Sequence, residues 1–157
     1  MNTDEIIRDL ADKRAISDLM AHYADRIDAN DPEGAAACFA ADGIGVYWQD
    51  CIGPEAIAER LTGILAHFHA TSHHLTNVQI RLNGDTATAQ SYVYAFHRVV
   101  GALDKPMHVW GRWIDELAKV EGEWKFKRRE VVSVGSIGSV RVPNDLDHPG
   151  HPGRLSR

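Results

Sequence analysis

Apolar residues in the first part of the chain recur every three or four positions: Ile16, Leu19, Met20, Tyr23 and Ile27 make one stripe on a helix. Asn30-Asp31-Pro32 ends that helix, because a proline disfavours helical geometry in the residue before it. Pro32 starts a second, short helix with Ala35, Ala36 and Phe39 inside it. Ala41-Asp42-Gly43 then turns the chain into a short strand over 44–48. Pro54 opens a third helix through Ile57, Leu61 and Leu65, at a position that tolerates its missing N–H.

After His69 the period changes to two and predicts strands over 72–82, 86–99, 107–120 and 123–134. Asn83-Gly84-Asp85 and Glu121-Gly122 are tight hairpin signals, whereas the connection over 101–106 is looser. Helices followed by long hairpin-linked strands predict an α+β domain, its curved antiparallel sheet packed on the N-terminal helices. Neither a repeat nor an internal linker interrupts the chain, so one domain is expected over 1–143. The tail 144–157, rich in Pro, Gly and His, is expected to be mobile or to lie on a neighbour.

A strongly curved sheet closed at one end by helices leaves a cavity at the other. On the strand over 86–99, Ala87, Ala89, Ser91, Val93, Ala95 and His97 share one parity, a face of small side chains ending in a histidine. Val109 and Trp113 share a parity on the next strand and would add apolar wall. Tyr92, Tyr94 and Phe96 fall on the opposite face. A large apolar sheet face seldom stays exposed, which suggests a homo-oligomer, dimer or trimer.

Composition changes this picture little. The chain has 157 residues, 44% hydrophobic and 25% charged, which suits one domain with one core. A net charge of −5 argues against a nucleic-acid partner. No stretch reaches the roughly 20 apolar residues that span a bilayer, and the N-terminus lacks an apolar signal core. The cytoplasm is the expected compartment, with Cys38 and Cys51 as reduced thiols.

Four places offer chemistry. Asp28 lies on the flank of the first helix stripe, in the last turn, where an acid opposes the helix dipole. By residue type alone it reads as a solvated terminal acid. His73 and His74 open a strand, so only one of them can face the pocket. Hydrophobic alternation with Val78, Ile80 and Leu82 would bury His74, yet a reactive histidine suits the mixed polar face of a cavity, which is that of His73. Arg129 could close an ion pair or hold a developing anion, although its spacing from Lys125 and Lys127 reads as an exposed strand arginine. The density of His67, His69, His73 and His74 raises a metal, but no HExxH, paired CxxC or similar ligand spacing is present, so none is expected. Gly-rich phosphate loops, dinucleotide fingerprints and GxSxG elbows are also missing.

The runs KRAISDLMAHYADRIDANDPEGAAACFAAD, GPEAIAERL, HATSHHLTNVQI and GEWKFKRREV resemble the SnoaL-like branch of the nuclear-transport-factor-2-like superfamily, over roughly 4–134. The resemblance implies a cystatin-like cone. Within that branch the chain is most similar to scytalone dehydratase, bile-acid dehydratase and hexachlorocyclohexane dehydrochlorinase, which eliminate a leaving group with an Asp–His pair. Carried over position by position, the resemblance makes Asp28 and His73 the pair, Tyr23 a proton donor and Arg129 an anion stabiliser, and places His97 loosely in the pocket.

What the resemblance implies is a lyase, a dehydratase in the broad sense, acting without a cofactor on a small, largely apolar cyclic or aromatic molecule. An isomerase or polyketide-cyclase-like enzyme would use the same proton abstraction. A non-catalytic ligand-binding module, or an assembly protein like the small subunits of ring-hydroxylating dioxygenases, would share the fold without the reaction.

Overall fold

In the computed structural model, which describes residues 2–138, Asn2 starts the first helix with a reciprocal cap. Its side chain accepts the Glu5 N–H at 2.9 Å, and the Glu5 carboxylate accepts the Asn2 N–H at 2.8 Å. This helix, α1, runs Thr3–Asp28 and buries Ile16, Met20, Tyr23, Ala24 and Ile27. It stops at Ala29 and Asn30, where Asn30 takes a left-handed backbone (φ 55°). Asp31 then caps α2 (Pro32–Ala36) by accepting the Gly34 N–H.

Two strands and a helix follow: β1 (Phe39–Val46), β2 (Asp50–Ile52) and α3 (Gly53–Leu65). Long strands complete the chain: β3 (Phe68–Asn83), β4 (Thr86–Val99), β5 (Met107–Val120) and β6 (Glu123–Ile137). The six form one sheet in the order β2-β1-β6-β5-β4-β3. The expected antiparallel sheet is therefore corrected to a mixed one. Every neighbouring pair is antiparallel except β1 and β6, which run parallel. A parallel pair needs a long crossover, and everything from β2 to β5 lies between these two strands.

The first strand also begins earlier than its sequence suggests. Phe39 already pairs with Phe126, and the expected turn at 41–43 is a register irregularity between Phe39 and Ile44.

Two further bulges decide which side chains face inward. Between Thr76 and Gln79 the pairing of β3 with β4 shifts by one residue, with Asn77 at φ 50°. Before the shift His73 and Leu75 sit opposite the buried Ala95 and Val93. After it, Ile80 and Leu82 sit opposite the buried Ala89 and Ala87. His73 and Ile80 can thus share the inner face although their numbers differ in parity. In β6 the pairs Glu116–Arg128 and Leu117–Phe126 skip Lys127, so Phe126 and Arg129 both turn inward.

α1 packs against β3 and α3 against β1. The core between helices and sheet holds Ile16, Met20, Ile57, Leu117 and Phe126, all at most 2% exposed. Burial of each such side chain stabilises the fold by about 1.5–3 kcal/mol. The inner face of β4 contributes mostly small side chains, among them Ala87, Ala89, Ser91 and Ala95, which leaves space toward the Ala95–His97 end. Cys38 and Cys51 are buried free thiols, and burial pushes the Cys38 thiol up. No helix among the described residues is long and apolar enough to cross a membrane. The expected boundary at 143/144 and the tail, with His148 and His151, lie outside the described residues.

Candidate active site

α1 delivers Asp28 at its last residue, beside the inner face of β3. The carboxylate meets three donors there. The His73 ring Nδ1 lies 2.6 Å from Oδ1, the His73 backbone N–H donates to Oδ2 at 2.8 Å, and the Thr71 hydroxyl donates to Oδ1 at 2.7 Å. Burial alone would push this carboxyl up. The ring, backbone and hydroxyl donors outweigh burial and hold it at about 2. An ionised carboxylate only accepts, so Nδ1 carries a proton, and in the neutral tautomer this leaves the lone pair on Nε2. His74, one residue on, faces outward and pairs with Tyr94. His67 and His69 are exposed. Among the described residues no three His, Cys, Asp or Glu side chains converge as metal ligands would.

His73 lines a cavity of about 140 Å³, as do His97, Val109, Trp113 and Tyr23. The His73 ring lies 5.8 Å from Trp113 and 5.6 Å, edge-on, from His97. His97 in turn packs 4.5 Å from Phe68. Burial, followed by the nearby His73, pulls His97 down to about 4, so it is a neutral ring at physiological pH.

Tyr23 reaches the cavity from the C-terminal part of α1. Its hydroxyl lies 2.6 Å from that of Tyr47, and both side chains are buried. Burial pushes Tyr23 up to about 12, opposed by Arg129 and by the Tyr47 hydrogen bond, and it raises Tyr47 well above the ordinary phenol range. Two hydroxyls hold two protons, and their mutual bond uses one, so the pair keeps one O–H to donate. Gly45 makes the pairing possible: a Cβ there would stand 2.6 Å from the Tyr47 ring.

The structure does not bring Arg129 to the cavity wall. Its guanidinium is fully buried and donates twice to Asp115, each bond 2.8 Å long. It also lies 4.4 Å from the Tyr23 ring centre, 4.3 Å from Trp113 and 3.8 Å from Phe126. Burial would strip its proton, but the Asp115 charge more than offsets this and raises the group. Arg129, expected to stabilise an anion, is ion-paired with Asp115 and packs against the rings of Tyr23 and Trp113.

Sequence reasoning misses Tyr47, Thr71 and Trp48, which line the cavity, and Asp115, which pairs with Arg129 behind it. Thr71 shares the parity of His73 and could have been found by alternation. Asp115 needs the β5–β6 register, which the Lys127 bulge hides.

With this geometry in view, comparison with known proteins gives a consistent picture. A model of the SnoaL-like domain matches residues 8–130. A solved Novosphingobium aromaticivorans protein provisionally named scytalone dehydratase is 33% identical, with 94% of this chain and 97% of that one covered and a TM-score of 0.79. A second protein from that organism, provisionally named an aromatic ring hydroxylase, is 27% identical over 83% of this chain and 94% of its own, TM-score 0.75. A hexachlorocyclohexane dehydrochlorinase is 19% identical over 92% and 99%, TM-score 0.78, a likeness of fold. No curated protein sequence matches the chain.

Proposed function

The chain belongs to the SnoaL-like family of the nuclear-transport-factor-2-like superfamily, and from that premise we propose that it is a cofactor-independent lyase of the dehydratase type, acting on a small, largely apolar cyclic or aromatic molecule. The family and its neighbours support a small-molecule enzyme of lyase or isomerase type. The observation that carries the finer reading is the 2.6 Å contact between Asp28 and His73 at the wall of an apolar cavity.

In this reading Nε2 of His73 takes a proton from a carbon next to a carbonyl. The carbonyl oxygen, gaining charge, accepts the free O–H of the Tyr23–Tyr47 pair. The electron pair left on carbon forms the new double bond as the hydroxyl departs. The imidazolium, held by Asp28, gives its proton to that hydroxyl, so water leaves and the base is restored. A positioned base of this kind contributes about 10²–10⁴-fold in rate. Arg129 acts through Tyr23 and Trp113, whose rings it braces. Trp113 and Val109 exclude water, and His97 forms the neutral far wall.

Isomerisation is the second reading. The neutral His97 ring 5.6 Å from His73 supports it, since a second imidazole could return the proton to another carbon. Incubation of the protein with cyclic β-hydroxy ketones, followed by mass spectrometry, separates the two: elimination lowers the product mass by one water, whereas isomerisation leaves it unchanged. No mass change and no rearrangement across such a panel would count against both.

The outer sheet face supports a homo-oligomer, dimer or trimer. Tyr92, Trp110, Ile114 and Val134 are all exposed there.

A further inference from the structure

Among the described residues that line the cavity there is no Lys, Arg, Asp or Glu. Asp28 stands behind His73, and Arg129 is sealed against Asp115. A charged ligand group would lose its water and find no opposite charge, which is costly. The volume of about 140 Å³ is close to that of a cavity known to take a single benzene, about 150 Å³.

At the mouth stands a residue that packing does not explain. Trp48 lines the cavity yet remains 50% exposed, and its backbone is left-handed at φ 59°. A bulky side chain in that region is rare and persists only where its surroundings over-determine it. They do so here. The Tyr47 N–H donates to the Gln49 carbonyl at 3.0 Å, and Arg60 of α3 donates to the Tyr47 carbonyl at 3.1 Å. The turn is thus fastened on both sides of Trp48, which holds a large flat indole against the opening.

We propose that the cavity takes an uncharged, single-ring molecule and that Trp48 covers the outer face of that ring. This rests on the reading above in using the same cavity. Trp48 is a specificity-determining contact: it supplies area against a flat apolar face and offers nothing to an anion.

Calorimetric titration at neutral pH with cyclohexanone, phenol and benzoate tests this. Both neutral probes are expected to bind at least about tenfold more tightly than benzoate. Trp48→Gly, which relaxes the backbone, should weaken the neutral probes about tenfold without lowering the thermal midpoint, and Trp48→Phe should keep most of the affinity. Benzoate binding as tightly as phenol, or wild-type affinity in Trp48→Gly, would overturn the proposal. So would an affinity loss in Trp48→Gly accompanied by a lowered midpoint, since that marks a structural residue. The same titrations on Asp28→Asn keep the two readings apart. Selective binding of neutral rings by a protein that converts no substrate upholds this inference and overturns the lyase.

Discussion

Asp28 grips His73 twice, taking the ring Nδ1–H at 2.6 Å on one oxygen and the backbone N–H at 2.8 Å on the other. The ring bond sets which nitrogen is free, and the backbone bond ties the helix end to the strand that carries the ring. One carboxylate therefore sets both the tautomer and the position of the base.

That grip has a pH signature. The Asp28 carboxyl is depressed from 3.8 to about 2. A depressed acid contributes stability above its unfolded value and loses it as the pH falls through the folded value. The contribution is about 1–2 kcal/mol at neutral pH, present above about pH 4 and lost toward pH 2. Denaturant midpoints followed from about pH 5 to about pH 2 should fall more steeply in the wild type than in Asp28→Asn. Parallel curves would mean that the carboxylate is not held as described.

The Tyr23–Tyr47 pair predicts an effect on rate larger than that on stability. Tyr23→Phe removes a donor to a developing oxyanion and should lower kcat by about 10²-fold. The lost hydroxyl bond should cost about 1 kcal/mol of stability. Thermal melts beside turnover of Tyr23→Phe and Tyr47→Phe check this, and unchanged kcat in both would remove the pair from the mechanism.

The buried Arg129–Asp115 pair predicts strong non-additivity. Arg129→Met or Asp115→Leu alone leaves an unpaired buried charge and should cost about 3–5 kcal/mol, whereas the double variant should cost much less. Denaturant unfolding of the three variants tests it. Simple addition of the single effects would show that the two side chains do not act as a pair.

Much of this was readable in the chain. The helix stripe, the prolines that open α2 and α3, and the Gly84 and Gly122 hairpins are local signals, and local chemistry decides them. Residue chemistry alone leaves Asp28, His73 and Tyr23 ambiguous, and a family resemblance is what singles them out as candidates. The faces of β3 and β6 were not readable, because alternation assumes an unbroken ladder. Asn77 resets β3, so His73 and Ile80 share a face that their numbers deny them. Lys127 resets β6 and moves Arg129 from the wet side of Lys125 to full burial. A bulge is a property of two strands together, and one strand's sequence does not announce it.

The outer face makes a prediction about assembly. Trp110 is 42% exposed and packs 5.6 Å from Tyr94. Light scattering should give a dimer or trimer mass for the wild type, reduced to the monomer mass in Trp110→Asp. A monomeric wild type would contradict the proposed homo-oligomer.

The central claim is that His73 is the base. Its most direct measurement is turnover by wild type and His73→Ala on a cyclic β-hydroxy ketone that the wild type dehydrates, with circular dichroism to confirm that both are folded. The account predicts water loss by the wild type and a folded variant at least about 10²-fold slower. A folded His73→Ala that releases water at the wild-type rate would contradict it.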